Sequence, residues 1–237
     1  MQNTLTETTI GKVEAVLTGK AVPYSRPGKT SAIHKQPVSG KVQVTESGLS
    51  GDEQADLRVH GGPHKAVHIY PREHYSNWQS ELGDLEVLQQ AGAFGENISS
   101  RGLTEETVCI GDQFRIGSVL FEVSQGRQPC WKLNDRFDIR DMAKRVQDTR
   151  RTGWYFRVLE AGEIQAGDDI ILAKRAWPEW SLARFMGLIY DGVLDVEQLR
   201  VALELPLVES WQKLIRKRLE KAEVEDWSPR MDGPAKG

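Results

Sequence analysis

The chain has 237 residues, 39% hydrophobic and 27% charged, enough for one sizeable core with a small appendage. Lysines and arginines number 31 against 34 aspartates and glutamates, a formal charge of −3, which disfavours non-specific binding of a nucleic-acid backbone. No apolar run approaches the ~20 residues that cross a bilayer, residues 1–10 lack the basic and apolar pattern of a secretory signal, and seven tryptophans exclude low-complexity disorder.

The first two-thirds read as short strands broken by turns. Residues 12–17 alternate, with Val13 and Ala15 on one face, and Val42 and Val44 alternate within 41–46. Residues 65–70 are short, apolar and rich in strand formers. Further strands are predicted over 107–110, 113–116, 119–123, 154–159 and 170–173, separated by turns at Gly111-Asp112, Gly117-Ser118, Ala161-Gly162 and Gly167-Asp168. Regularly spaced strands with few crossover helices point to an antiparallel or mixed β-barrel, not a doubly wound sheet. Two helices interrupt, at about 73–82 and at about 138–150, the second with Ile139, Met142 and Val146 at helical spacing.

Composition changes at Trp177-Pro178. Beyond it come three amphipathic helices, carried by Leu182, Phe185, Met186 and Ile189, by Val196, Leu199, Val201 and Leu203 before Pro206, and by Val208, Trp211, Leu214, Ile215 and Leu219. The basic stretch 213–221 reads as a solvated helix face, and residues 228–237, rich in proline, glycine and lysine, as a flexible tail. The fold class is therefore mainly β with α (α+β).

Several chemistries are excluded by missing signatures: there is no P-loop, no G-x-G-x-x-G after a strand, no H-E-x-x-H and no G-x-S-x-G elbow. The two cysteines, Cys109 and Cys130, form neither a disulfide framework nor a zinc pattern, which suits a reducing, cytosolic compartment.

Three segments carry candidate chemistry. His60, His64 and His68 recur every four residues, but Gly61-Gly62-Pro63 breaks any helix that would align them as a metal face. The better reading is a tight turn feeding a strand on which Lys65, Val67 and Ile69 share a face. That puts Lys65 at a barrel rim, unless it simply reaches into solvent. Gly61 and Gly62 would let backbone amides approach a ligand. The segment 92–102 holds three glycines, two serines, Asn97 and Arg101; it either cradles an anion or merely connects. In Gln125-Gly126-Arg127-Gln128-Pro129-Cys130-Trp131-Lys132, two nearby cations would favour the Cys130 thiolate, whereas Cys109, between Val108 and Ile110, reads as a packed, inert thiol.

Together these runs resemble a known family. Gly48-Leu49-Ser50-Gly51-Asp52-Glu53-Gln54-Ala55-Asp56, His60-Gly61-Gly62-Pro63-His64-Lys65-Ala66, Gly92-Ala93-Phe94-Gly95-Glu96-Asn97, Gly111-Asp112 and Arg127-Gln128-Pro129-Cys130, in that order, are similar to the MOSC domain, and within it to the YiiM-type group with its C-terminal three-helix extension. The resemblance spans nearly the whole chain. It implies a MOSC β-barrel over residues 11–175 and a three-helix subdomain over 178–226. It implies a molybdenum cofactor (molybdopterin) and reduction of N-hydroxylated compounds, such as N-hydroxylated base analogues, to amines. Cys130 would be the metal ligand, with Lys65 and His60 as its catalytic polar partners and Gly61, Gly62, Asn97 and Arg127 binding the cofactor. Electrons would come from a separate reductase, because no flavin or haem motif is present; neither membrane nor stable nucleic-acid binding is implied. Two alternatives stay open: a persulfide carrier using Cys130, and a non-enzymatic ligand-binding module.

Overall fold

The computed structural model describes residues 8–55 and 61–234; His60 lies outside the described residues. The first half supplies β1 (Thr8–Thr18), the short β2 (Val22–Pro23), β3 (Thr30–Ser31) and β4 (Gln36–Pro37), then β5 (Val42–Thr45), β6 (Gly48–Leu49), β7 (Val67–Pro71) and β8 (Ile98–Arg101). The second half adds β9 (Gln113–Ile116), β10 (Val119–Gly126), β11 (Trp154–Glu160), β12 (Gly162–Ile164) and β13 (Asp169–Lys174). Helices α1 (Glu73–Leu82), α2 (Lys132–Phe137) and α3 (Met142–Thr149) flank the sheet; α4 (Leu182–Tyr190), α5 (Val196–Ala202), α6 (Glu209–Lys221) and α7 (Ser228–Asp232) follow it. Among the described residues no helix is long and apolar enough to cross a membrane.

Seven strands run β13-β9-β10-β11-β7-β8-β1, and β13 pairs back onto β1, so the sheet closes into a barrel with β4 appended to β1. Closure removes the free edges that an open sheet would expose. Every barrel pairing is antiparallel except β7 with β8, whose register aligns Ile69 with Ile98. The β9–β10 hairpin turns at Gly117, where φ is +55° and a Cβ would lie 2.3 Å from the Glu163 carbonyl oxygen; only glycine fits there.

Alternation along β10 sends Val119, Phe121 and Val123 inward, and Phe121 stacks on Phe156 of β11. This core does not end at the barrel. Phe185 and Met186 of α4 and Trp211 and Ile215 of α6 belong to the same buried cluster. A second cluster lies outside the barrel wall, where Tyr70 stacks on Phe94 at 4.1 Å between centroids and Trp78, Leu133 and Met142 close around them.

Four expectations need correction. Residues 63–65 form a 3-10 turn, and the strand begins at Val67; Pro63 follows Gly62 at φ +92°, and Lys65 donates its backbone N–H to the Gly62 carbonyl, which turns the chain before it can extend. Residues 107–110 are not a strand: Cys109 makes only an isolated bridge to Ser181, because Thr107 turns back onto Thr104. The helix expected over 138–150 begins only at Met142, and a separate helix over 132–137, not expected, precedes it; Asp138, left-handed at φ +52°, ends that first helix. Within 213–221, Arg218 is buried and caps α4, donating to the carbonyls of Leu188 and Ile189 at 2.9 and 2.6 Å.

Candidate functional site

A cleft of about 680 Å³, counting its solvent-open mouth, lies against the outer face of the barrel wall, on the side that His68 and Tyr155 present, and is lined among others by Lys35, Asp52, Lys65, His68, Arg127 and Cys130. Its position follows from how β10 ends. The ladder stops at Gly126, Pro129 has no N–H to continue it, and the chain swings out of the barrel. Arg127 donates its backbone N–H to Gly153 at 3.0 Å and its carbonyl accepts from the Tyr190 hydroxyl at 3.3 Å. Cys130 then opens the turn that becomes α2, accepting from the Leu133 N–H at 2.9 Å.

Cys130 is 7% exposed and lines the cleft; Arg127, 6% exposed, lines it too, and its Nη1 has no hydrogen-bond partner among the described residues. A buried guanidinium nitrogen without a protein partner in a cleft wall is available to a ligand group. His68 of β7 also lines the cleft and is buried, its ring packed against the backbone of Gly95, Thr152 and Gly153. Burial first, and the Arg127 charge next, hold its pKa well below the ordinary histidine value, so the ring is neutral.

Lys65 reaches the cleft from the 3-10 turn. The turn is stapled to the barrel by the His64 carbonyl, which accepts from Ser124 Oγ at 2.6 Å and Gln125 Nε2 at 3.0 Å. Gln54 Nε2 donates to the Lys65 carbonyl at 3.3 Å. Burial, then Arg230, push the Lys65 pKa down to about 8, against the opposing pull of Cys130. Lys65 and Cys130 thus share the cleft.

Asn97 lines the cleft but is fully engaged. Its Nδ2 donates to Asp52 Oδ2 at 2.8 Å and to the Leu17 carbonyl at 3.2 Å, and its Oδ1 accepts from the His68 N–H at 3.1 Å. It ties β1, β7 and the Asp52 loop together. Asp52 in turn accepts from the Gly19 N–H and pairs with buried Lys35, whose pKa burial lowers first, the Asp52 contact opposing.

The 92–102 segment is a connection, not an external anion cradle. Its amides already hold the chain's own carboxylate: Glu96 accepts from the Gly92 N–H at 2.7 Å and the Phe94 N–H at 3.1 Å, and from the Tyr75 hydroxyl. Arg101 leaves for the surface, where it pairs with Glu14. Gly61 and Gly62 shape the turn without lining the cleft; at Gly62 it is the positive φ, not close packing, that requires glycine.

Of the residues singled out in the sequence, Cys130, Lys65, Arg127 and Asn97 meet in one cleft. Sequence reasoning missed Lys35 and Tyr155, which no local motif marks, and set aside His68 along with the metal face. His64 lies on the exposed turn while His68 is buried in β7, and no cluster of three or more metal-ligating side chains exists among the described residues. Cys109 is far from this chemistry: its Sγ lies 3.6 Å from the Pro178 carbonyl, and burial, then Asp112, raise its pKa.

Residues 56–171 match the MOSC domain and residues 180–222 the YiiM-like, 3-alpha helix domain. The chain is 42% identical over 219 residues to Protein YiiM of Escherichia coli (strain K12), covering 92% of this chain and 97% of that protein. It is 41% identical over 192 residues to the uncharacterized protein YflK of Bacillus subtilis (strain 168), 81% of this chain and 86% of that one. A protein of Gibberella moniliformis named "Reductase" is 39% identical over 194 residues, 81% of this chain but 34% of that longer protein. The crystal structure of YiiM from Escherichia coli superposes with a TM-score of 0.78 at 34% identity, covering 94% of this chain and 99% of that one. The YiiM structure from Geobacillus stearothermophilus gives 0.75 at 33% identity, covering 88% and 99%. The chain belongs to the YiiM group of MOSC-domain proteins.

Proposed function

We propose that the protein is an oxidoreductase that reduces N-hydroxylated compounds to amines with a molybdenum cofactor. The observation that carries the reading is the cleft itself: one soft thiol, Cys130, set among cations, with Arg127 Nη1 left without a partner among the described residues. A thiolate suits a thiophilic transition metal. A single protein thiol with no further ligand cluster among the described residues suits a metal whose other ligands arrive with an organic cofactor. The orphaned guanidinium suits an anionic group on that cofactor. MOSC domains are associated with this cofactor, and the relative named "Reductase" supports redox chemistry.

The overall change is R–NH–OH plus two electrons and two protons to R–NH₂ plus water. When bound, the cofactor would supply the electron pair for cleavage of the N–O bond, the oxygen leaving as water. Cys130 Sγ holds the metal. Arg127 orients the cofactor through its free Nη1. Lys65, with a pKa of about 8, carries a proton on Nζ at neutral pH and gives it to the departing oxygen. Asn97 and Asp52 keep the wall in place. The electrons arrive from a separate reductase in the cytosol.

The test is reduction of an N-hydroxylated base by protein purified from a host that makes the cofactor, with a chemical electron donor. Amine should appear at a rate proportional to bound molybdenum. Fully loaded protein that forms no amine would overturn the reading, and metal-free protein bearing a persulfide on Cys130 would replace it with sulfur transfer.

A further inference from the structure

Glu105 stands in none of the segments that carry candidate chemistry, yet it is 4% exposed and both of its carboxyl oxygens are engaged. Oε1 accepts the Gly153 N–H at 2.6 Å, and Oε2 lies 2.6 Å from Nε2 of His74 on α1. Its backbone carbonyl accepts the Ala183 N–H at 2.8 Å, in the first turn of α4. One residue of a turn thus joins α1, α4 and the backbone just before β11. A buried carboxyl group is costly unless bonds of this kind satisfy it.

Gly153 is where that bond reaches the cleft. Its φ is +67°, and a Cβ would come within 2.4 Å of the Ile69 carbonyl oxygen and 2.9 Å of His68 Nε2, so its backbone is wedged against β7. Its carbonyl accepts the Arg127 N–H at 3.0 Å and the Thr152 hydroxyl at 2.8 Å. Arg127 is the residue at which the chain leaves β10 for Cys130, three positions on. Helix α4 closes directly on the same exit. A Cβ at Gly126 would lie 2.4 Å from Met186 Sδ, and the Tyr190 hydroxyl donates to the Arg127 carbonyl at 3.3 Å. The exit is therefore held by α4 and, through Gly153, by Glu105, which is itself tied to α4.

We propose that Glu105 is a positioning residue for the Cys130 thiol: its carboxyl group fixes Gly153, Gly153 fixes the Arg127 backbone, and the segment 127–130 then keeps the thiol, 7% exposed, in the cleft wall. The C-terminal helices act on the cleft through the same residue, because α4 holds the turn on which Glu105 stands. The inference rests on taking Cys130 as the working group of the cleft but not on the reduction chemistry, so the thiol itself is the readout.

The experiment is alkylation of the cofactor-free, full-length protein by iodoacetamide in a Cys109→Ser background. The pH is alkaline enough to ionise the thiol in every variant, so that rates differ by access alone. Glu105→Ala removes both carboxyl bonds. Glu105→Asp keeps the charge but is one methylene short of Gly153, and Glu105→Gln keeps the reach and an acceptor oxygen. Ile170→Ala removes a buried side chain from β13, which pairs with none of β7, β10 and β11, and controls for stability lost elsewhere. Glu105→Ala and Glu105→Asp should react about fivefold faster than the parent, the factor by which one lost buried hydrogen bond favours local opening. Glu105→Gln and Ile170→Ala should react at the parent rate. Amide exchange at Gly153 and Arg127 should quicken in the same two variants and in neither of the others. Glu105→Asp decides the matter should Glu105→Ala not fold. A parent rate in folded Glu105→Asp overturns the proposal, as does a Glu105→Gln as fast as Glu105→Asp, or an Ile170→Ala equally accelerated.

Discussion

Asn97 Nδ2 lies 2.8 Å from Asp52 Oδ2, and this bond joins two segments 45 residues apart across the mouth of the cleft. The remaining polar atoms of Asn97 are committed to Leu17 and His68. Asn97→Ala should therefore act first on stability, costing about 1–3 kcal/mol for buried groups left unpaired. Asn97→Asp should cost more, because it sets a second carboxylate against Asp52. Denaturant unfolding checks both; an Asn97→Ala protein of wild-type stability would show that the clamp is dispensable.

The two cysteines should behave as different chemical species. Cys130→Ser should lose N-hydroxy reduction while keeping the fold, since a hydroxyl is a poor ligand for a thiophilic metal. Cys109→Ser should remain active with a stability change within about 1–2 kcal/mol, the hydroxyl retaining the contact to the Pro178 carbonyl. In cofactor-free protein iodoacetamide should modify Cys130 well before Cys109, as mass mapping of the labelled peptides would show.

Lys65 ties function to pH. Its folded value of about 8 lies below the ordinary 10.5, so the unfolded chain binds the proton more tightly than the folded one. The resulting penalty is complete below about pH 8 and is relieved as pH rises towards 10.5. Wild-type stability should thus gain over that window relative to Lys65→Met, and Lys65→Met should be the more stable of the two at pH 7. Turnover should fall as pH rises through about 8 and drop by about 10²–10⁴-fold in Lys65→Met. A wild-type rate that climbs through pH 8 would remove Lys65 as the proton donor.

Removal of residues 178–237 takes Phe185, Met186, Trp211 and Ile215 out of the core they share with the barrel. It also removes the Leu182 N–H from Val108 and the Ile110 N–H from its Trp180 acceptor. Each such buried side chain contributes about 1.5–3 kcal/mol, and four together rival the whole stability of a domain. The truncated chain should be insoluble or lack a cooperative unfolding transition.

The barrel was legible because its signals are local. Period-two alternation at Val119, Phe121 and Val123 and glycine at Gly117 are properties of adjacent residues, and they mark β10 and its hairpin directly. Closure was not legible: Lys12 pairs with Asp169, 157 positions away along the chain. The cleft divides in the same way. Cys130 and Arg127 are neighbours and carry a motif, whereas Lys35 meets Asp52 only through the folded loops. Composition misled at the C-terminus, where proline and glycine suggested fraying. Gly233 is there because the chain must pass against the Trp131 ring, and Pro229 opens α7.

On the proposed reading, Cys130 is where the molybdenum cofactor binds. The direct measurement is molybdenum and pterin content of wild-type and Cys130→Ser protein purified from one cofactor-producing host. About one of each should be found per wild-type chain, and neither should be retained by a folded Cys130→Ser. Equal molybdenum in the two proteins, or none in either from a host that loads other molybdenum enzymes, would contradict it.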